Sequence, residues 1–126
     1  MPVDALHLTL PATPESIGAA RRALAPLRDD VGDPVFRDLR LLVSEVVTNA
    51  IRHAEHRGEV RLVVVPVPGA LRVEVHDGGD GFAPDPQPTP AADRGAGWGL
   101  YLVDKLTRSW GAERAPDAHV WFELEH

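Results

Sequence analysis

The sequence predicts an α+β domain, a two-layer α/β sandwich whose helices cover one face of a mixed, mostly antiparallel sheet. Three observations lead there. The run Ala70 to His76 alternates Leu71, Val73 and Val75 with Arg72, Glu74 and His76, as a strand buried on one side does. A second β-rich run, Glu59 to Val65, is joined to it by Pro66-Val67-Pro68-Gly69, a hairpin connection by composition. The stretch Leu39 to His56, LRLLVSEVVTNAIRHAEH, repeats Leu39, Val43, Val46, Val47, Ala50 and Ala54 at helical spacing. Such a stripe can close the apolar face of a sheet.

The remaining elements follow in order. Ala5 to Leu10 alternates Leu6, Leu8 and Leu10 with His7 and Thr9 and reads as a short strand. Pro11 to Pro14 ends it, and Thr13 is placed to cap a helix with Pro14 and Glu15 in its first turn. That helix, about Pro14 to Leu27, turns Ile17, Ala20 or Arg21, Leu24 and Leu27 inward, with Pro26 ending or kinking it. Asp29 to Asp33 is a polar turn containing Gly32, and the long helix opens near Pro34. Past the hairpin, Asp77-Gly78-Gly79-Asp80-Gly81 stops the strand abruptly. The 13 residues from Phe82 to Arg94 include four prolines and few apolar anchors, so they are expected to form a mobile lid. Gly95-Ala96-Gly97-Trp98-Gly99 then leads into a helix from about Leu100 to Arg108. Ser109 to Arg114 and His119 to Leu124 close the chain as strands around an Ala115 to Ala118 turn. The last residues, 124–126, resemble the stump of a purification tag and are given no role.

At 126 residues the chain is expected to be one domain, residues 1–126. A hydrophobic content of 44% with 25% charged residues describes a globular protein with a sizeable core. The net charge of −6 and the lack of a basic tract weigh against direct nucleic-acid binding. The absence of cysteine excludes disulfides, thiol catalysis and cysteine-ligated zinc, and fits a cytoplasmic setting. No signal peptide or membrane span is visible, so no membrane partner is expected.

Chemistry concentrates at three places. On the long helix Glu45, Asn49 and Arg52 fall close together, with His53 at the margin of the group. An ordinary solvated face would look similar. Asp77 ends a strand with Gly79 and Gly81 two and four residues later. A carboxylate there can accept from an exocyclic amine, and the glycines let backbone approach a flat ring. The alternative is a glycine turn, but a hairpin turn needs about two residues and this one runs into a long loop. Gly95, Gly97 and Gly99 before a helix can offer bare amides and the positive end of a helix dipole to phosphates. No Walker-type motif exists, and Lys105 is the only lysine, so arginines (Arg52 and Arg94 are placed for it), amides and metal must meet phosphate charge. The histidines do not have the spacing of a metal site, and no serine sits at a nucleophile elbow.

These parts in this order, E-x-x-x-N on a helix, D-x-G-x-G after a strand, a loop, then G-x-G-x-G before a helix, resemble the ATP-binding (Bergerat) fold. That superfamily holds gyrase, the ninety-kilodalton heat-shock chaperone, sensor histidine kinases and the mismatch-repair ATPase. The short form looks like the anti-sigma factor serine/threonine kinases, and VSEVVTNAIRHA and GAGWGLYLVDKL carry the resemblance most specifically. Each box is weak alone; three in order are strong.

The resemblance implies ATP and Mg2+ as cofactors. It assigns magnesium binding to Asn49 and the acid that orients or deprotonates the attacking group to Glu45. Asp77 becomes the adenine reader, Gly79 and Gly81 the ring-approach glycines, and Phe82 to Arg94 the lid. Gly95, Gly97 and Gly99 become the phosphate-side glycines, and Arg94 a terminal-phosphate contact. Arg52, His53, Phe82, Ala96, Trp98 and Leu100 complete the implied nucleotide-binding set. The family often has threonine before the last strand, contacting adenine through water; His119 stands there instead. The implied function is an ATP- and magnesium-dependent serine/threonine kinase that binds a sigma factor and phosphorylates an anti-anti-sigma (STAS-type) protein, with a homodimer allowed. Two alternatives are a nucleotide-binding switch without phosphate transfer and the catalytic domain of a sensor histidine kinase. The second lacks room for a phosphoacceptor hairpin before Ala5.

Overall fold

The structure is a computed structural model that describes residues 5–54, 58–77, 97–113 and 118–126, with backbone alone at 97–99. Its first strand, β1 (Leu6–Pro11), leads into α1 (Glu15–Ala23), a 3₁₀ turn (Ala25–Leu27) and a short helix α2 (Arg28–Val31). The long helix α3 (Asp33–His53) follows, then β2 (Glu59–Val67), β3 (Ala70–His76), α4 (Gly97–Leu106), β4 (Ser109–Glu113) and β5 (His119–Glu125). The five strands form one sheet in the order β1-β2-β3-β5-β4. All four pairings are antiparallel, so the described strands take the mostly antiparallel expectation to its limit.

Strand alternation sorts the side chains. Val60, Leu62 and Val64 of β2, Leu71, Val73 and Val75 of β3, and Val120, Phe122 and Leu124 of β5 are all buried on the face that meets the helices. From the helix layer α3 supplies Leu39, Leu42, Val43, Val46 and Val47, and α1 and the segment after it supply Ala20, Leu24 and Leu27. Each fully buried Leu or Val side chain contributes about 1.5–3 kcal/mol, so α3 is held chiefly by its stripe. The serine and threonine hydroxyls inside α3 are bound locally: Ser44 Oγ donates to the Arg40 carbonyl at 2.7 Å and Thr48 Oγ1 to that of Ser44 at 2.6 Å.

Several local expectations need correction. The helix after β1 ends at Ala23, and Pro26 sits inside the 3₁₀ turn, where its missing N–H is harmless. Thr13 gives α1 no side-chain cap; its carbonyl instead accepts from the Ser16 amide at 3.0 Å. The buried Ser16 hydroxyl bonds the Pro11 carbonyl at 2.6 Å. Residues expected as a polar turn make the helical turn α2, and Gly32 at φ 85° separates it from α3. The β2–β3 connection is shorter than its composition suggests: Val67 pairs with Ala70, which leaves Pro68-Gly69 as the turn. Gly69, at φ 73°, supplies the left-handed residue that so tight a turn requires. Pro66 lies beyond the end of β1, where among the described residues β2 pairs with β3 alone. Finally, β5 runs to Glu125 and Leu124 is 4% exposed in the core, so two of the three last residues, given no role above, pair in the sheet.

Candidate functional site

The C-terminal half of α3 crosses the sheet where β3 ends and β5 begins. Between them lies a narrow pocket of about 10 Å³. Val46 and Ala50 of α3 face Val75, Ala112 and Val120 across it, giving two apolar walls. Asn49 and Asp77 bring polar groups to its margin, which Glu113 and His119 also line. Asp77 directly follows β3, and its backbone N–H donates to the Ala118 carbonyl at 3.2 Å, which ties this corner to the start of β5.

Asn49 is unusual among these groups. It is 5% exposed, and among the described residues nothing hydrogen-bonds its side-chain amide. A buried amide left without partners costs about 1–3 kcal/mol, and native structures keep few such groups. An amide that lines a pocket is satisfied by what enters the pocket. The side-chain oxygen of Asn49 fits a hard cation such as magnesium, which takes few ligands from a protein, and Asn49 would hold the ion there.

The other expected site residues are placed as follows. Glu45 lies one helical turn before Asn49, half-buried and outside the pocket wall. Arg52 and His53 are exposed on the last turn of α3, where His53 Nδ1 donates to the Asn49 carbonyl at 2.7 Å. Because a carbonyl only accepts, this bond puts the ring proton on Nδ1. Leu100 is 6% exposed in the core, a packing position. α4 begins at Gly97, so Gly97, Trp98 and Gly99 form its first turn rather than a loop ahead of it. Gly79, Gly81, Phe82, Arg94, Gly95 and Ala96, and with them the expected lid, lie outside the described residues.

His119 lines the pocket, but the alternation that turns Val120 inward puts its imidazole on the other face of the sheet. There it stacks on His76 with ring centroids 4.4 Å apart. Sequence reasoning missed Glu113, Ala112 and the apolar walls. The register would have found them, since Glu113 pairs with His119 and Ala112 with Val120, but that pairing is long-range and leaves no local trace.

Comparisons with known proteins agree with this geometry. The family described as histidine kinase-like ATPase domain matches residues 10–121. Serine-protein kinase RsbW from Bacillus velezensis is 34% identical over 119 residues, covering 82% of this chain and 74% of that protein. Serine-protein kinase RsbW from Bacillus subtilis is 33% identical over 118 residues with the same coverage. Among solved structures, the RsbU and RsbW domains of Rv1364c from Mycobacterium tuberculosis superpose with a TM-score of 0.73 at 20% identity. That match covers 98% of this chain but only 32% of the larger one, and it speaks for the fold. An antiparallel sheet under α3, a pocket that joins Asn49 to Asp77, and a family match over nearly the whole length lead to one conclusion: the chain belongs to the histidine kinase-like ATPase domain family, alongside the RsbW serine-protein kinases.

Proposed function

We propose that residues 1–126 act as one ATP- and magnesium-dependent serine/threonine protein kinase that binds a sigma factor and phosphorylates an anti-anti-sigma protein. One observation carries this reading: the buried amide of Asn49, without a partner among the described residues, shares a pocket with Asp77. The pocket as it stands is narrow, about 10 Å³, room for about one water, so a flat ring would enter by parting its walls. The apolar walls would clasp adenine and the Asp77 carboxylate would accept from its exocyclic amine. Asn49 would hold magnesium on the phosphate side, and Glu45, one turn away, would orient or deprotonate the attacking hydroxyl. Gly79, Gly81 and the glycines at 95, 97 and 99 would line the ring and phosphates, with Arg52 and Arg94 as cationic contacts. The kinase names of the relatives support transfer to serine. No described helix is long and apolar enough to cross a membrane, which is compatible with cytoplasmic work.

The test is nucleotide selectivity followed by transfer. Because Asp77 reads an amine, ATP should bind more tightly than GTP by about 1–3 kcal/mol, with the preference lost in Asp77→Asn. Equal calorimetric affinities for the two nucleotides in the parent protein would remove Asp77 from this role. Transfer of labelled phosphate from ATP to a co-purified protein serine would then separate a kinase from a nucleotide-binding switch.

A further inference from the structure

The other end of α3 carries a second site. Arg21 and Arg22 in the last turn of α1, Arg28 of α2, and Arg37 and Arg40 on α3 line two adjoining hollows of about 390 and 410 Å³. Five of the chain's 13 basic residues therefore converge on one surface of a molecule with net charge −6. Phe36 is common to both hollows and 7% exposed. The Arg28 and Arg40 guanidinium carbons lie 5.9 and 5.7 Å from its ring centroid, within cation–π range.

The fold uses only part of this charge internally. Arg28 bonds Asp33 at 2.8 Å, and Asp33 also lines the second hollow. Among the described residues Arg21, Arg22, Arg37 and Arg40 have no carboxylate partner, although all four side chains are exposed. Like charges gathered without counter-charges repel one another, a cost that an anionic partner removes. From Phe36 to Asn49 is about 13 residues of α3, or ~20 Å along its axis at ~1.5 Å per residue, so a nucleotide seated at Asn49 does not reach the groove.

We infer that this groove is a docking surface for an acidic segment of a protein partner, which sets Asp and Glu side chains against the arginines. The inference rests on the reading that this chain works on a protein partner, but not on phosphate transfer. A protein segment suits the groove better than nucleic acid because the positive surface is short and the rest of the chain is acidic. A phosphate backbone needs an extended basic track, and beyond the arginines it would meet repulsion.

The experiment uses the full chain, isotope-labelled for NMR, and three probes: a peptide rich in Asp and Glu, a short DNA duplex, and inorganic phosphate. The acidic peptide should shift resonances of α1 and the first half of α3 and leave those around Asn49 unmoved. Raising salt from about 0.1 M to about 1 M should abolish binding. Arg37→Glu combined with Arg40→Glu should weaken the peptide about tenfold or more, with ATP affinity unchanged. Arg21→Gln with Arg22→Gln serves as the second variant should the first lose its fold. Equal binding of a control peptide with Gln and Asn in place of the acids would overturn the inference. So would parent-like affinity in the folded variants, or tighter binding of duplex or phosphate to the same residues. Failure of ATP binding in the unmodified chain would count against the kinase reading and leave the peptide result to stand on its own.

Discussion

The two faces of the sheet are made from the same strands, yet they treat polar groups in opposite ways. On the outer face Arg72, Glu74, His76, Trp121 and Glu123 satisfy one another. Arg72 Nε donates to Glu74 at 3.0 Å, its Nη1 reaches Glu123 at 3.4 Å, and its guanidinium lies 4.3 Å from the Trp121 ring centroid. Glu123 also receives Arg108 at 3.1 Å, and His76 Nε2 donates to Glu74 at 2.9 Å. On the inner side the core is apolar, Ser16 is bound to Pro11, and Asn49 is left with no partner for its amide among the described residues. Polar groups that complete each other hold a fold together. A buried one left incomplete points to something it receives. On that ground we place the function inside and assign the outer network to structure.

The comparison breaks most visibly on α3. Glu45→Ala should lower phosphate transfer about 10²–10⁴-fold, the usual contribution of a positioned general base, and leave ATP affinity largely intact. Asn49→Ala should do the reverse, weakening magnesium-dependent ATP binding, while the nucleotide-free protein melts no earlier than the parent. Removing a buried amide that has no partner costs little, because its desolvation penalty of about 1–3 kcal/mol disappears with it. Parallel melting curves and single-turnover transfer assays separate the two. Asn49→Ala melting far below the parent without nucleotide would make the amide a structural group and undo the contrast.

A smaller effect tests the outer face. A Cβ built on Gly111 would stand 2.7 Å from Trp121 Nε1 and 2.9 Å from Cε2. Arg72 stacks against that same ring, and Gly111 is the cross-strand partner of Trp121. The indole therefore has little room to retreat, and Gly111→Ala should destabilise by about 1–3 kcal/mol, the usual cost of overpacking. Urea unfolding followed by tryptophan fluorescence measures it. Nucleotide affinity should hold in the folded fraction, since Gly111 faces away from the pocket. An unchanged midpoint would mean that the indole moves freely and that the stacked cluster is loose.

What was legible in the sequence was what has a short period. Alternation in Ala70 to His76 and the stripe on α3 foretold the strand, the helix and the faces they bury, because each depends only on neighbours within one or two turns. Asn49 and Asp77 were found through motif order, 28 positions apart, and the fold brings both to one pocket. The rest depends on pairings between distant segments. Ala112 and Glu113 become pocket residues only through the β4–β5 register. His119 stands where the family often has threonine, and only the β3–β5 pairing shows that it lies opposite His76. The groove at Phe36 escaped notice because its arginines come from three helices and never form a run. The shift of the α4 start to Gly97 is also invisible locally, since glycine favours loops and only packing of α4 on α3 and the core overrides it.

The smallest expected effect is a pH dependence that sharpens the contrast between paired and unpaired groups. Burial pushes the Glu74 carboxyl up, but the hydrogen bonds and charges of Arg72 and His76 outweigh it and hold the group below the ordinary carboxylate value of 4.5. A carboxyl depressed in the folded state contributes stability that is present above its unfolded value and lost as pH falls through the folded one. Glu74→Gln removes that charge yet leaves a side chain that can still accept from Arg72 or His76. At neutral pH the variant should be less stable by about 1 kcal/mol, the scale of one charge-assisted hydrogen bond against a neutral one. As pH drops from about 5 toward about 2 the parent should lose this advantage and the two unfolding curves converge, because the parent carboxyl is then protonated as well. Asn49→Ala, with no charge to titrate, should keep a constant offset from the parent over the same range. Denaturant midpoints for the three proteins across the acid range decide it. A Glu74→Gln offset that stays constant down to low pH would show that the Arg72–Glu74–His76 contacts act through shape alone, with no contribution from the charge.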